Sequence, residues 1–576
     1  MTKAALRKLI QTASGQIPAE TVIQNCRILD VFTGVFKEGD IALCGGRIAG
    51  VGRYRGEREI DGEGRYAVPG LIDSHIHIES SYLCPEELGR LLVPHGTTTI
   101  IADPHEIVNV CGTAGLDYMM AAAENTALDI LFMLPSCVPA TPFEHAGAEM
   151  GAAEMAEPLR RDKVLGLGEF MNFPGLLNGE DGVLDKLLLA QAAGKLIDGH
   201  SPGLTGLGLN GYAAAGILGD HECGTAAAME ERLSLGMYVL LRQGSACRDL
   251  RQLIPGVTPA NSRRCLLCSD DRQPRTILTE GHIDSHLRIC VEEGLDPVTA
   301  LQMATLNAAE CFRLYDRGAI APGRRGDIVL LDDLTEFSVN RVWIGGQLAA
   351  AGVYLLPVQR QDITPVMGSV RVKDFTAEKL KMHLKSRRVH VIELRPGSVE
   401  TTKSTAEVRL DSRGEFIWTP EADIAKVAVI ERHRETGHVA CGFLKGYGIR
   451  AGAIALSVAH DSHNIIVTGV SDGEMAYAVE KLREQNGGIV LVKDGAVLES
   501  MPMPIAGLMS DRSGEWVAEK LERIHRAAHV HLGISGGVEP VMTLCFMSLP
   551  VIPELKLTDM GLFDVTQFAF IPVEAE

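Results

Sequence analysis

The sequence contains no stretch approaching 18 consecutive apolar residues, so no helix is expected to cross a membrane. Its first residues carry Lys3, Arg7 and Lys8 with no apolar segment behind them, which is not the pattern of a secretory signal. Basic residues are in deficit: 55 Lys plus Arg stand against 74 Asp plus Glu, a formal net charge of −19. Such a surface repels phosphate backbones and acidic lipid, so neither nucleic acid nor a membrane is expected as a partner. Cysteine is thinly spread. Thirteen residues, an odd number in a chain of 576, read as reduced thiols of a cytoplasmic protein rather than a disulfide framework. The closest pair, Cys265-x-x-Cys268, has no second Cys or His pair at finger spacing and is expected in a buried strand rather than on zinc. No G-x-x-x-x-G-K-[ST] phosphate loop occurs, which leaves P-loop nucleotide hydrolysis without support. Internal repeats, low-complexity tracts and long linkers are also missing.

What remains is an ordinary globular composition, 46% apolar and 22% charged, arranged in three parts. Residues 1–66 are strand-like, with short apolar runs at Thr21–Leu29, Asp40–Cys44 and Arg47–Val51 and a Gly45-Gly46 hairpin signal. The same character returns within residues 318–361, at Asp327–Leu331 and Arg341–Gln347. A flanking β-sandwich built from both sides of a central unit is the economical expectation. Between them, residues 67–317 alternate apolar runs with helical stretches. Eight candidate strands are Ala67–Ile72, Thr97–Ala102, Ile130–Leu134, Val164–Gly168, Lys195–Asp198, Ala215–Leu218, Met237–Leu241 and Cys265–Ser269. Eight β/α alternations predict an α/β fold of the (β/α)8 TIM-barrel type, with its chemistry at the C-terminal ends of the strands. Residues 362–576 read as an additional α+β domain, with a hairpin at Asp494-Gly495 and an amphipathic helix over Asp472–Gln485.

The chemistry-bearing residues fall where a barrel would use them. Strand 1 runs into Asp73-Ser74-His75-Ile76-His77, and two His at i and i+2 share one side of an extended chain. Strand 4 ends in Glu169, strand 5 in Asp198-Gly199-His200, strand 6 in Asp220-His221-Glu222 and strand 8 in Ser269-Asp270-Asp271. Any one of these is weak, and a second H-x-H occurs at His529-Val530-His531. Four His and two carboxylates together exceed the ligand set of one tetrahedral catalytic ion. They suit two ions about 3.5–4 Å apart, bridged by a carboxylate and a hydroxide, with the pKa of water lowered from about 15.7 towards about 7. Metal-dependent hydrolysis is the expected chemistry.

These motifs resemble the amidohydrolase superfamily: H-x-H on strand 1, a carboxylate on strand 4, His on strands 5 and 6, Asp on strand 8. More narrowly, the chain resembles the adenine deaminases. That likeness rests on Pro69-Gly-Leu-Ile-Asp-Ser-His-Ile-His-Ile-Glu-Ser-Ser81, Ala102-Asp-Pro-His-Glu-Ile107, Gly199-His-Ser-Pro-Gly-Leu204, Gly219-Asp-His-Glu-Cys223, Cys268-Ser-Asp-Asp-Arg272 and Val458-Ala-His-Asp-Ser-His-Asn464. It runs nearly the whole length and implies hydrolysis of adenine, a small purine base, to hypoxanthine and ammonia. It also implies Mn or Fe as the two divalent metals, with Zn compatible, and a homodimer. Many binuclear superfamily members bridge their metals with a carbamylated Lys; this chain carries Glu169 instead, as the adenine deaminases do.

On that resemblance His75, His77 and Asp270 would hold one ion, His200 and His221 the other, and Glu169 would bridge. Asp270 is the expected proton acceptor, with Asp271 its rival. His105 and Glu106, after strand 2, are candidates to protonate the ring nitrogen or the departing ammonia, to form a weaker extra metal site, or to support His75 and His77. His460, Asp461 and His463 lie in a segment that reads either as a lid touching the purine or as a local turn. The H-x-E at His77-Ile78-Glu79 lacks the Pro-Cys-x-x-Cys partner of cytidine-type zinc deaminases. Gly533-Ile-Ser535-Gly-Gly537 matches G-x-S-x-G, but no His follows Ser535, so a Gly-rich loop is expected rather than a nucleophile elbow. His529, His531, Met119, Met120, Met501 and Met503 are expected to serve the fold. A cyclic-amide or N-acyl hydrolase on the same scaffold is the alternative activity, and a non-catalytic scaffold the remote one.

Overall fold

The computed structural model describes residues 1–395 and 397–576, and counts and absences below are of these residues. The chain opens with a helix, Lys3–Ala13, and five strands: β1 (Ala19–Asp30), β2 (Val35–Cys44), β3 (Arg47–Gly52), β4 (Gly56–Asp61) and β5 (Tyr66–Pro69). Gly45 and Gly46 turn β2 into β3 with φ of 57° and 74°, the left-handed pair that matches strand twist in a two-residue hairpin. One residue, Gly70, separates β5 from β6 (Leu71–Ile76), the first of eight parallel strands. The others are β7 (Thr97–Ala102), β8 (Asp129–Leu134), β9 (Val164–Phe170), β10 (Leu196–Gly199), β11 (Gly219–Asp220), β12 (Tyr238–Arg242) and β13 (Cys265–Cys268). Three more strands follow: β14 (Ile328–Leu331), β15 (Val339–Ile344) and β16 (Gln347–Ala350).

The central strands form a curled parallel sheet in two hydrogen-bonded runs, β6 to β10 and β11 to β13. At one seam Leu218 donates to the Ile197 carbonyl at 2.8 Å, and at the other Asp270 donates to the His75 carbonyl at 2.9 Å. Helices including Pro85–Leu92, Thr113–Ala123, Asp181–Ala192 and Ala226–Ser234 lie between the strands. Every residue of β6 and β7 is buried, as expected of parallel strands covered on both faces.

Three expectations shift. Ala67–Pro69 belongs to β5, which pairs with β14, so the chain passes from flank to central sheet at Gly70, and β6 extends past Ile72 to Ile76. The sixth strand is Gly219–Asp220 rather than Ala215–Leu218; Ala215 still closes the preceding helix, donating to Gly211 and Tyr212 carbonyls. Arg341–Gln347 is broken by a Gly345-Gly346 hairpin with φ of 55° and 77°.

The flank is one eight-stranded sheet, ordered β16-β15-β14-β5-β1-β2-β3 with β4 also on β1, rather than two separate sandwich layers. The reason lies in β1, which pairs with β4 over Ala19–Gln24 and with β5 at Arg27 and Ile28. Its pairing with β2 is bulged between Ile23 and Cys26, and a bulge bends a strand; the sheet therefore forks while staying continuous. Gly70 has no room for a side chain, because a Cβ there would meet the Thr98 hydroxyl at 2.1 Å.

The remaining chain builds a second eight-stranded sheet, from Arg388–Leu394 through Ala496–Pro502. Only Arg388–Leu394 and Val439–Lys445 pair in parallel. Asp494-Gly495 turns its last hairpin with φ of 52° and 72°. Helix Asp472–Glu484 packs on the sheet, and Gly514–His531 carries His529 and His531 in its last turn. Ser535 follows in a loop and donates its amide to the Tyr447 carbonyl. Met119, Met501 and Met503 are buried in the core and Met120 packs partly against it, while Cys265 and Cys268 are free thiols buried in β13. No helix is long and apolar enough to cross a membrane.

Candidate active site

Asp73, in β6, fastens the first strand to the eighth: its carboxylate accepts from the Ser269 amide at 3.0 Å and the Ser269 hydroxyl at 2.5 Å. From that anchor the extended chain brings His75 and His77 to the same side, their Nε2 atoms 3.2 Å apart. His77 Nδ1 lies 2.9 Å from the Asp103 carbonyl; donation there fixes the ring and turns Nε2 to face the site. The Asp103 carboxylate accepts the Glu169 amide at 2.9 Å, so one residue after β7 orients both a histidine and a carboxylate. Asp270 adopts φ of 59°, a left-handed conformation that Asp tolerates better than most residues. Its Oδ1 stands 3.2 Å from His77 Nε2.

Glu169 is buried in β9 and stands between the two groups of histidines. Oε1 is 3.3 Å from His77 Nε2 and 3.1 Å from His105 Nδ1; Oε2 is 2.9 Å from His200 Nδ1 and 3.3 Å from His221 Nε2. The ligand atoms of His75, His77 and Asp270 lie within 4.8 Å of one another, as do those of His75, Glu169 and His221. All six residues expected at a metal centre are thus brought together. His75 and Glu169 come from within strands rather than from beyond their ends.

Two further residues, Arg242 and Glu222, complete the polar wall. Arg242 Nη1 donates to Asp270 Oδ2 at 2.9 Å and to Glu222, and Nη2 donates to Asp249 at 2.9 Å. Glu222 Oε1 lies 3.5 Å from His221 Nε2. From the sequence Arg242 has no assigned place, and Glu222 and Asp103 stand only as motif neighbours of His221 and His105, without a role of their own. Arg242 carries a legible signal, being a charge directly after the apolar run Tyr238–Leu241.

The electrostatics follow from this crowding. Burial opposes charge on Glu169, but the surrounding imidazoles, His77 foremost, hold its carboxyl well below the usual range. Asp270 is also buried, and His77 with Arg242 keeps it ionised far below its ordinary value. Burial alone would lower His77, yet Glu169 and Asp270 hold it well above. His75 goes the other way, lowered by burial and by His221 and His77. Burial and the charge of Asp270 push Asp271 up to about 6. Glu169 Oε1 is buried without a hydrogen-bond partner. Imidazole nitrogens and carboxylate oxygens converging a few ångströms apart form the mixed donor set that borderline divalent cations take, so these residues fit a metal.

A cavity of about 310 Å³ opens on this cluster. His77, Glu169, His200, His221, Asp270 and Asp271 line its barrel side. The opposite side belongs to the C-terminal region: Phe546, Leu549, Val551 and Ile552 supply apolar surface, and His460 and Asp461 polar groups. His105 and Glu106 lie between the two, with His105 Nε2 3.7 Å from Asp461 Oδ1 and Glu106 Oε1 3.0 Å from His460 Nδ1. His463 is buried behind Glu106, its Nε2 3.8 Å from Glu106 Oε2, and does not reach the cavity. Buried Lys556 ties the apolar wall together, donating to the Val399 carbonyl at 2.9 Å and the Phe546 carbonyl at 3.0 Å.

Comparison with known proteins agrees with this geometry. Residues 66–349 match the amidohydrolase family and residues 398–569 the adenine deaminase C-terminal domain. A protein of Desulfotalea psychrophila called adenine deaminase 2 is 62% identical over 576 residues, covering 100% of both chains. This chain belongs to the adenine deaminase family. An adenine deaminase of Ligilactobacillus salivarius is 50% identical over 578 residues, again across 100% of each chain. One from Nitratidesulfovibrio vulgaris is 51% identical over 569 residues, 99% of each. Both halves of the cavity, the strand ends and the Phe546–Ile552 wall, fall within family-matched segments.

Proposed function

We propose that this chain hydrolyses adenine to hypoxanthine and ammonia at a two-metal site, set at the C-terminal face of a closed (β/α)8 barrel. The observation that carries this reading is the placing of Glu169, whose Oε1 faces His77 while Oε2 faces His200 and His221. A carboxylate divided in this way suits two cations rather than one. His75, His77 and Asp270 would hold the first, His200 and His221 the second, and Glu169 both. Divalent cations in such a site supply the positive charge that brings ionisation of water towards neutral pH. Mn or Fe is preferred on family likeness, and Zn suits the same donors.

The chain's own residues do the rest. Arg242 takes Asp270 Oδ2 and leaves Oδ1 towards the reacting face. Asp270 accepts a proton from the attacking water as its oxygen joins C6 of the purine, then passes that proton to N1. Asp271 lines the same cavity beside Asp270 and is placed to accept a hydrogen bond from an N–H of the base. The aliphatic wall covers the flat face of the base and excludes water. His105 has Glu169 on one nitrogen and Asp461 on the other, so we assign it to orienting Glu169. A cytoplasmic homodimer is the assembly we propose from the same likeness.

The test is metal content measured alongside ammonia release from adenine. Activity should vanish on chelation and return with about two equivalents of Mn²⁺ or Fe²⁺. Saturation at one equivalent would overturn the two-metal site. Turnover of hydantoins, dihydropyrimidines or N-acetyl sugars without turnover of adenine would overturn the substrate.

A further inference from the structure

The proposed reaction needs an acid as well as a base. An amide anion is a very poor leaving group, so the C6–N bond breaks readily only if the nitrogen receives a proton as it departs. The residues nearest the metal ligands are poorly placed to give one. Both ring nitrogens of His105 face carboxylates, Glu169 at 3.1 Å and Asp461 at 3.7 Å. Glu106 is engaged by two imidazoles, His460 at 3.0 Å and His463 at 3.8 Å. His463 lies behind the cavity wall, and its Nδ1 accepts the Ala459 amide at 3.3 Å, which turns its N–H towards Glu106.

His460 is different. Its Nδ1 is taken by Glu106, its ring stacks on Phe546 at a centroid distance of 4.6 Å and an interplanar angle of 25°, and it lines the cavity. Its Nε2 has no protein partner among the described residues. We infer that His460, contributed by the C-terminal region, is the acid that protonates the departing amine; this rests on the adenine-deaminating reading above.

The groups facing this ring favour its charged form. Burial disfavours the cation, but Glu106 from the helix after β7, Asp271 from the β13 end and Asp461 beside it together hold His460 up to about 9. His463 is the opposing neighbour, and burial keeps it neutral at about 3. At neutral pH the cavity therefore presents an imidazolium N–H.

The step balances. In the adduct, C6 carries OH and NH2, and N1 carries the hydrogen delivered by Asp270. His460 gives its Nε2 proton to the NH2 nitrogen, the C6–N electron pair goes to that nitrogen, and ammonia leaves. The hydroxyl hydrogen passes to Asp270 as C6=O forms, and solvent exchange returns a proton to His460 and removes one from Asp270. The two hydrogens of the water are then accounted for, one on N1 and one in ammonia.

The test compares leaving groups in wild type and His460→Gln, with metal content measured on both. Wild-type release of ammonia from adenine establishes the underlying activity in the same assay. For the variant, kcat/KM on adenine should fall about 10²–10⁴-fold, while hydrolysis of 6-chloropurine, whose chloride needs no proton, stays within about threefold. Equal losses on both substrates, or no loss on adenine, overturn the assignment. Glu106→Gln supplies a second readout. Because the acid works only while protonated, activity on adenine declines as pH rises through the His460 value, and removing Glu106 should move that decline down by about 1–3 pH units. An unmoved basic limb overturns the proposal even if 6-chloropurine is refused by both proteins.

Discussion

The two walls of the cavity are built on opposite principles. On the barrel side nearly every side chain is charged or ionisable and is held by a partner from a different strand: Asp270 by Arg242, Glu169 by the Asp103 carboxylate on its own amide, His77 by the Asp103 carbonyl. On the C-terminal side the surface is mostly aliphatic, carried on the short stretch from Phe546 to Ile552 and fixed through backbone carbonyls by one buried amine. Rigid strands suit groups that must meet within tenths of an ångström. A loop suits a surface that has only to match the outline of a flat base. The mainly ionisable and the mainly apolar surfaces are thus separated between two parts of the chain, with His460 and Asp461 the exceptions that carry ionisable groups across.

This division is testable from either side. The largest effect is expected from Asp270→Asn, which should lower kcat on adenine by about 10²–10⁴-fold with KM changed only a few-fold. Steady-state kinetics with metal analysis decides it, and a loss confined to KM would break the separation. Leu549→Ala should do the converse, raising KM about tenfold with kcat within about threefold, as expected when apolar contact is removed from bound base and transition state alike. The smallest effect on catalysis belongs to Lys556→Met. Burial pushes the Lys556 amine down to about 7, so between that value and its unfolded pKa of about 10.4 the unfolded chain holds a proton that the folded chain does not. Stability therefore rises with pH across this window by up to about 1.4 kcal/mol per unit. Urea titrations at pH 7 and pH 9 should show that this gain is smaller in the variant, whatever the offset between the two proteins. An unchanged slope would mean that the amine stays charged in the folded wall.

Legibility in the sequence followed the same divide. Strand β7 was readable to the residue because Thr97–Ala102 is an uncharged run of mostly β-branched residues, bounded by Gly96 and by Asp103-Pro104. The candidate metal ligands were readable because an extended chain has a fixed period and strand-end chemistry a fixed location. Strand β11 was not, since two residues carry no period. The aliphatic wall was hidden for a related reason: Leu549, Val551 and Ile552 lie outside any helix or strand, so nothing local distinguishes them from core. Glu222 and Arg242 stood in readable places but became meaningful only when seen bonded to each other and to Asp270. The fork in the flank could not be read at all, because it depends on β1 offering one strand to β4 and β5 in succession.

The single-residue junction at Gly70 gives the flank a mechanical role. With Thr98 pressed against it and its amide donating to the Asp327 carbonyl at 2.9 Å, there is no slack between β5 and the strand that carries His75 and His77. The outer sheet, gathered from both ends of the barrel segment, acts as a splint: it sets the twist and starting height of β6 as a vice sets the angle of a tool. Loosening that grip, for instance with a bulkier residue at Gly70, would tilt two histidines without touching either of them.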